Sequence, residues 1–230
     1  MQIHGLQKLT LLDYPKKTAC TVFLGGCNFR CPFCHNGNLA TEEYQNLISQ
    51  DEFFSFLSKR KGLLDGVCIT GGEPTLTPDL EDFIKKIKSL GFLVKLDSNG
   101  TNPSVLKSLI EKNLIDYIAM DIKNSKNAYK ETAGVQNLNI KDIEESVELI
   151  KASGIDYEFR TTVVAEFHSV ENIQDIARWL AGSKKYFLQC FRDSEFVLKK
   201  GLTAPTKEEL ESFKTILTGY IDFVDIRGID

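Results

Sequence analysis

Three cysteines in one short segment are the residues of this chain whose spacing most clearly implies chemistry. Cys27, Cys31 and Cys34 form a C-x-x-x-C-x-x-C pattern inside the glycine-bracketed residues 25–37. Thiolates are ligands for zinc and for iron–sulfur clusters, and a [4Fe–4S] cluster normally takes four of them. Because this segment supplies only three, a cluster held here would leave one iron open to a ligand from outside the protein.

Other interpretations of these cysteines stay open at this point. A Cys₃His zinc site with His35 uses suitable ligands, although adjacent Cys34 and His35 would have difficulty pointing at one tetrahedral ion. The run from Cys31 to His35 matches C-x-x-C-H, a covalent haem attachment pattern that normally accompanies export. A disulfide is a further alternative. The spacing favours an iron–sulfur cluster over zinc, and both over haem or a disulfide.

The remaining three cysteines have a different setting, because each falls inside a predicted strand among apolar neighbours. They are Cys20, Cys68 and Cys190. A cysteine in such a setting is usually a small buried hydrophobic residue, and we predict that role for them. Cys190 is the best candidate for an exception, since it falls near a strand end.

The elements that must position these residues alternate between strand and helix. Short apolar, β-branched runs predict strands, and apolar residues at helical spacing predict helices between them. The predicted strands are residues 19–24, 66–70, 92–96, 117–120, 157–164 and 186–190, with 223–226 as a candidate last strand. The predicted helices are 51–60, 140–152 and 170–180, a short one within 124–139, and three opening at Thr77-Pro78, Asn102-Pro103 and Pro205-Thr206.

About six strand–helix units in a row predict an α/β fold with a parallel sheet in a single domain. Periodicity alone does not distinguish an open sheet from a partial barrel. Polar residues follow four of the predicted strands, at the cysteine segment and at residues 71–74, 97–100 and 121–123. Since the carboxyl ends of parallel strands form the ligand crevice of α/β folds, we expect these residues to meet in one site.

The combination of these motifs resembles the radical S-adenosylmethionine (SAM) superfamily. The resemblance rests on the cysteine pattern, the aromatic Phe33 within it, and Gly71-Gly72-Glu73-Pro74 after the second predicted strand. It implies a partial (β/α)₆ barrel and a [4Fe–4S] cluster on the three cysteines, with SAM chelated to the fourth iron. It also implies reductive cleavage of SAM to methionine and a 5′-deoxyadenosyl radical.

The resemblance also implies roles for residues around SAM. Gly71 and Gly72 would let the backbone approach the cofactor closely, and Glu73 would supply a carboxylate near the SAM amino group. Phe33 would pack near the adenine. Taken alone, the Gly-Gly-Glu-Pro run could be an ordinary turn, and Phe33 could be a loop aromatic that covers the core.

A narrower resemblance, to the glycyl-radical-enzyme activating enzymes, covers nearly the whole chain. It rests on Leu-Thr-Leu-Leu-Asp-Tyr-Pro at residues 9–15, the cysteine segment, Asp-Ser-Asn-Gly at 97–100 and Asp-Ile-Lys at 121–123. The branch that it resembles most is the anaerobic ribonucleoside-triphosphate reductase activating proteins. The expected activity is removal of a hydrogen atom from one glycine of such a partner, with flavodoxin or ferredoxin as electron donor.

This narrower resemblance adds five site residues. Asp97 and Asp121 would bind SAM or a monovalent cation, Lys123 would reach SAM, and Asn99 would contact SAM or order its loop. Ser98 replaces the Thr of the family pattern, which puts its role in doubt. Without the resemblance, residues 97–100 could be a plain turn, because Asn-Gly is a strong turn signal.

Four residues in the later strands and loops complete the candidates. Arg160 resembles a family arginine near SAM, and its alternative is a salt bridge in the barrel wall. Gln189 and Arg192 fall at the end of the sixth predicted strand and are site candidates. His168 is expected in a surface loop rather than in catalysis.

Two alternative functions come from different classes. One is a radical SAM enzyme that acts on a small molecule or activates a pyruvate formate-lyase type of partner. The other is a zinc-binding α/β module without redox chemistry. We expect one radical SAM domain over residues 1–230 with its cluster loop at 25–37, because no cysteine-rich, ferredoxin-like insert lies between residues 40 and 66.

Composition and charge argue against two classes of partner. The chain has 230 residues and a formal net charge of −4, which argues against a broad nucleic-acid surface. No apolar run approaches the ~20 residues that span a bilayer, and residues 1–14 lack a signal-peptide core. We therefore expect a cytoplasmic protein that binds neither nucleic acid nor membrane.

Overall fold

The computed structural model describes residues 1–41 and 47–229, and their strands form one sheet in the order β1 to β8. The strands are β1 Ile3–Thr10, β2 Ala19–Leu24, β3 Gly66–Gly71, β4 Leu93–Ser98, β5 Tyr117–Asp121, β6 Asp156–Val163, β7 Lys185–Cys190 and β8 Phe223–Arg227. β1 runs antiparallel to β2, and every later neighbour pair is parallel. β1 and β8 do not pair among the described residues, so the sheet is not closed, which confirms the predicted α/β partial barrel.

Helices follow the parallel strands and cover the outside of the sheet. They are α1 Gly37–Ala40, α2 Gln50–Ser58, α3 Leu80–Ser89, α4 Pro103–Glu111, α5 Tyr129–Ala133, α6 Ile140–Ala152, α7 Val170–Trp179 and α8 Lys207–Thr218. Side-chain caps at Ser49, Ser169 and Thr206 satisfy backbone N–H groups that have no partner inside their helices. The capping box predicted for Thr206 and Glu209 is confirmed.

Two elements differ from the sequence prediction. β1 was not predicted, because only Ile3 and Thr10 of its residues are buried and the strand lacks a clear apolar period. The helix predicted to open at Thr77-Pro78 begins at Leu80 instead. A 3₁₀ turn at Pro74–Leu76 takes up the intervening chain, and the Glu73 side chain accepts the Thr75 N–H at its start.

The two faces of the sheet carry different chemistry, because successive side chains of a strand point to opposite faces. In β4, Val94 and Leu96 join the apolar core, whereas Lys95 and Asp97 are ion-paired on the other face. In β6, Phe159 joins that core, whereas Arg160 pairs with Asp97. The barrel interior is therefore lined with charges near the site, and the apolar core lies between sheet and helices.

This alternation separates the strand cysteines. Cys20 belongs to the apolar core, as predicted. Cys68 is buried, as predicted, but the apolar neighbours predicted for it were wrong. Its sulfur lies on the charged face of the sheet, 3.6 Å from Lys95 Nζ and 3.9 Å from Asp97 Oδ1. Cys190 is only partly buried at the end of β7. None of the helices in the described residues is both long enough and apolar enough to cross a membrane.

Candidate active site

The carboxyl ends of the parallel strands surround a cavity of about 840 Å³, including its open mouth. The sequence-predicted residues on its wall are Cys27, Cys31, Phe33, Cys34, Gly71, Gly72, Glu73, Asp97, Ser98, Asn99, Asp121, Lys123 and Arg160. The four polar clusters predicted to meet therefore do so. Gln189 is not among the lining residues, although it was predicted with them.

The cysteine loop has little regular structure of its own and is tied to its surroundings by backbone hydrogen bonds. Arg30 N–H donates to the Ala133 carbonyl at the end of α5 (2.9 Å), and Cys34 N–H donates to the Cys31 carbonyl (3.0 Å). The Arg30 side chain donates to the carbonyls of Cys27 and Phe29. The thiol of each cysteine in the loop is free. The fold thus presents three unpaired thiols from one anchored loop to one cavity.

The glycines at the end of β3, Gly71 as its last residue and Gly72 directly after it, are required by a close approach between loops. Gly72 N–H donates to the Leu24 carbonyl and Glu73 N–H to the Gly26 carbonyl, both at 2.8 Å. Gly71 has φ +119, and a Cβ on it would collide with the Leu24 backbone. A Cβ on Gly72 would collide with the Gly26 carbonyl. These glycines therefore let the segment after β3 lie directly against the base of the cysteine loop.

Burial and a neighbouring positive charge shift the pKa values of the three thiols in opposite directions. Burial raises the pKa of the Cys31 thiol to about 12, with the nearby Lys123 ammonium opposing the rise. Burial also raises the pKa values of Cys27 and Cys34, against the same ammonium. Without a bound metal the thiols are neutral, so metal binding must displace their protons.

The donor set fits a cluster better than a single ion. Within residues 1–41 and 47–229, no three His, Cys, Asp or Glu side chains come close enough together to hold one metal ion. The His35 ring instead packs against Phe191, with ring centroids 5.6 Å apart. In a [4Fe–4S] cluster each thiolate binds a different iron, so three separated thiols in one loop suit it. The Cys₃His zinc alternative is therefore not favoured.

The Glu73 carboxylate connects the segment after β3 to the segment after β4. It is fully buried and accepts hydrogen bonds from the Thr75 hydroxyl (2.5 Å), the Ser98 hydroxyl (2.9 Å) and the Asn99 N–H (2.6 Å). Burial raises the pKa of Glu73, and these donors oppose that rise. Because its oxygens are occupied in this way, the carboxylate positions Ser98 and Asn99 at the cavity wall.

A chain of opposite charges crosses the cavity floor from β4 to the segment after β5. Asp97 pairs with Lys95 and with Arg160, and the Arg160 Nη2 atom lies 3.0 Å from Asp97 Oδ2. Arg160 Nε lies 2.5 Å from Asp121 Oδ1, and Lys123 Nζ lies 2.9 Å from Asp121 Oδ2. Burial alone would raise the pKa values of Asp97 and Asp121, but the Arg160 and lysine charges hold both below the usual range.

His168 was expected in a surface loop, and that prediction was wrong. Its side chain is buried, and its Nδ1 accepts the Val164 N–H at 3.1 Å, so Nε2 carries the proton and donates to the Lys123 carbonyl at 2.9 Å. Burial lowers the pKa of His168, in keeping with a neutral ring. The ring packs edge-on against Phe33, with ring centroids 6.3 Å apart. His168 thus supports both the segment of Lys123 and the aromatic of the cysteine loop.

Several wall residues were not named from the sequence. They are Phe29, Asn36, Ala40, Thr70 and Thr162, whereas His35, also on the wall, was considered only as a zinc or haem ligand. Strand alternation could have identified Thr162, two residues after Arg160 on the same face, and also Lys95, two residues before Asp97. Of the two candidates near the end of β7, Gln189 lies within the strand and off the cavity wall, and Arg192 lies beyond it and donates to the Gly228 carbonyl at 3.1 Å.

Most of the chain is similar in sequence to proteins whose family is known. The sequence model of the radical SAM superfamily matches residues 21–180, which include the cysteine loop. A Methanocaldococcus jannaschii protein that is named as a glycyl-radical enzyme activating enzyme is 36% identical over 99% of this chain and 96% of its own length. The pyruvate formate-lyase-activating enzyme of Clostridium pasteurianum is 28% identical over 76% of this chain and 74% of its own.

A solved structure agrees on the fold. The Streptococcus suis protein SuiB bound to S-adenosylmethionine superposes with a TM-score of 0.69, at 15% sequence identity. The superposition covers 90% of this chain and 52% of that protein. At this level of identity the likeness concerns the barrel architecture.

Proposed function

The chain belongs to the radical SAM superfamily and, within it, to the glycyl-radical enzyme activating enzymes, and from this membership we propose that it activates an anaerobic ribonucleoside-triphosphate reductase. The activity would place a radical on one backbone glycine of that partner. The radical chemistry in this proposal rests on one observation: three free thiols and a row of charged residues line a single open cavity at the carboxyl ends of the strands.

Membership implies a [4Fe–4S] cluster and SAM, and the residues on the cavity wall fit both. Cys27, Cys31 and Cys34 would each bind one iron, which leaves the fourth iron for SAM. When bound, these cofactors supply one-electron cleavage of SAM to the 5′-deoxyadenosyl radical, which removes the hydrogen atom from the glycine. The proposed cofactor set does not include the monovalent cation that was expected at Asp97 and Asp121. The carboxylate oxygens of these residues already face the positive charges of lysine and arginine side chains.

The residues of the chain have separate tasks in this proposal. Lys123, held by Asp121, directs a positive charge into the cavity and favours both the thiolates and a bound carboxylate. Asn99 donates to Asn28 Oδ1 at 2.8 Å, which holds the segment after β4 against the cysteine loop. Phe33 lines the cavity and is backed by Phe167 and His168, so it can offer a fixed ring face to the adenine.

The proposed chemistry indicates which electron donor and which cellular compartment the protein requires. The electron must come from a low-potential donor, for which a reduced flavodoxin or ferredoxin is the suitable class. A single radical SAM domain spanning residues 1–230, without a ferredoxin-like insert, would receive that electron directly at its one cluster. We propose the cytoplasm as the compartment, because there thiols are kept reduced.

The test combines the reduced, anaerobically reconstituted protein with SAM and a candidate anaerobic ribonucleotide reductase. We expect 5′-deoxyadenosine in the products and a glycyl radical in the EPR spectrum, and neither product when SAM is omitted. A reductase whose radical-bearing glycine is replaced by alanine is the control, and it should give no glycyl radical.

Two results would contradict the proposal at different levels. Formation of 5′-deoxyadenosine without a glycyl radical would point to another substrate, such as a small molecule or a pyruvate formate-lyase type of partner. A colourless protein with stoichiometric zinc and no iron would rule out the radical chemistry itself. The Cys190→Ser protein should behave like the wild type in both measurements, because Cys190 is not among the cavity-lining residues.

A further inference from the structure

Every carboxylate oxygen of the two aspartates at the cavity floor already has a cationic partner within the protein. Asp97 Oδ1 pairs with Lys95 Nζ, and Asp97 Oδ2 lies 3.0 Å from Arg160 Nη2. Asp121 Oδ1 lies 2.5 Å from Arg160 Nε, and Asp121 Oδ2 lies 2.9 Å from Lys123 Nζ. Each of the four oxygens therefore already faces a nitrogen that carries positive charge.

Arg160 is held in the centre of this arrangement by the fold. It pairs directly with Asp121 in the register between β5 and β6, and strand alternation directs both side chains into the barrel. Its guanidinium is planar and offers donors in two directions, so one group can bridge two carboxylates on different strands. Only 14% of the Arg160 side chain is exposed, which weakens competition from water for these bonds.

The local charge also disfavours a further cation. Three cationic groups, on Lys95, Arg160 and Lys123, face two carboxylates, on Asp97 and Asp121. The neighbouring Glu158 is already neutralised by a two-point pair with Arg227, at 2.8 and 2.9 Å. A sodium or potassium ion placed between the two aspartates would meet a net positive surrounding at short range.

We propose that the Arg160 guanidinium is the built-in counter-ion of Asp97 and Asp121, and that SAM binding by this protein therefore requires no monovalent cation. Arg160 acts as a positioning residue: it holds Asp121, and Asp121 in turn holds Lys123 at the cavity wall. This inference rests on the proposed function, since it concerns the binding of SAM at that site.

The experiment measures the dissociation constant of SAM for the reconstituted protein in choline chloride and in potassium or sodium chloride at equal ionic strength. The wild type should bind SAM with the same constant in all three salts, within about twofold. The Arg160→Ala protein should bind about tenfold or more weakly in choline chloride. Potassium, sodium or millimolar guanidinium should restore its affinity at least severalfold, because each can enter the space left between the carboxylates.

Two further variants separate this role from a merely structural one. Arg160→Lys keeps the charge and should stay independent of the salt cation. Arg178→Ala removes an exposed arginine that pairs with Asp175 and contacts neither aspartate, and it should show no response to potassium or guanidinium.

The possible results are distinct. A wild type whose affinity for SAM rises saturably with potassium or sodium would overturn the inference, even if Arg160→Ala failed to fold. An Arg160→Ala protein that binds SAM normally in choline chloride would also overturn it. A wild type that binds no SAM in any salt would contradict the proposed function itself, which is a separate result.

Discussion

At the scale of single residues, the position of a cysteine relative to its strand decides what it can do. Cys27, Cys31 and Cys34 stand in one loop beyond the end of β2 and line the cavity together. Cys20 and Cys68 are buried inside strands on opposite faces of the sheet. A thiol must reach a shared space to bind a shared metal group, and among these five only the loop cysteines do so.

This difference predicts the iron content of single serine variants. Each of Cys27→Ser, Cys31→Ser and Cys34→Ser should lose most of the iron after reconstitution, because two thiolates hold a [4Fe–4S] cluster poorly. Cys190→Ser and Cys20→Ser are the matched controls and should keep wild-type iron per chain. Iron analysis together with the visible absorbance of the cluster checks this. A folded Cys68→Ser protein without iron would contradict the assignment.

At the scale of elements, the site depends on loops from separate strands touching one another. The segment after β3 lies against the base of the cysteine loop because Gly71 and Gly72 have no side chains. The Glu73 carboxylate then binds the segment after β4 through Ser98 and Asn99. One short motif thus joins three strand ends, which explains its place in the cavity wall.

This contact predicts a difference between alanine variants of two glycines that both have positive φ. Gly91 has φ +91 with nothing near its missing Cβ, so Gly91→Ala should cost only the left-handed strain, about 1–2 kcal/mol in the free energy of unfolding. Gly71→Ala adds a collision with the Leu24 backbone and should cost more. Urea unfolding measures both values. Iron incorporation should fall for Gly71→Ala alone, and equal effects of the two changes would contradict the contact.

At the scale of the whole molecule, the barrel interior is held together by buried and partly buried charge pairs. Asp97, Asp121 and Glu158 project from three neighbouring strands and pair with arginines and lysines from other positions. Burial alone would raise their pKa values, but these cationic partners hold all three below the usual range. The stability of the fold is therefore linked to pH through these carboxylates.

The sign of this link gives a prediction for acid unfolding. The unfolded carboxylates titrate near pH ~4, and the folded ones titrate lower, so their contribution is complete above pH ~4. It is lost as the pH falls from ~4 towards the folded pKa values. The loss of this contribution should therefore lower the urea midpoint of the iron-free protein mainly between about pH 5 and pH 3.

The Asp121→Asn protein provides the control for this pH dependence. At pH 6 it should be less stable by about 1–3 kcal/mol, because a charged hydrogen-bonding partner of Arg160 and Lys123 is gone. Its stability should then fall less steeply with acid than that of the wild type, since one low-pKa carboxylate has been removed. Parallel curves for the two proteins would contradict the role of Asp121.

Much of the fold and of the site could be predicted because the signals were local. The runs of β2 and α6 were predicted with their observed bounds, and the three cysteines of the C-x-x-x-C-x-x-C pattern occupy one contiguous loop whose spacing needs no tertiary information. β1 could not be predicted, because it gains its strand conformation from pairing with β2 and not from an apolar pattern of its own. The surroundings of His168 depend likewise on β5, which precedes it by many residues.

The sequence by itself determined the chemistry. It places three thiols, without a fourth, in residues 25–37, and it places polar motifs at the ends of parallel strands, which must meet at one edge of the sheet. Only the tertiary structure decided how the charges at that edge are paired. Whether Asp97 and Asp121 face an external ion or Arg160 depends on strand register and on which face each side chain occupies. Those relations join residues far apart in the chain, and a motif within one strand does not encode them.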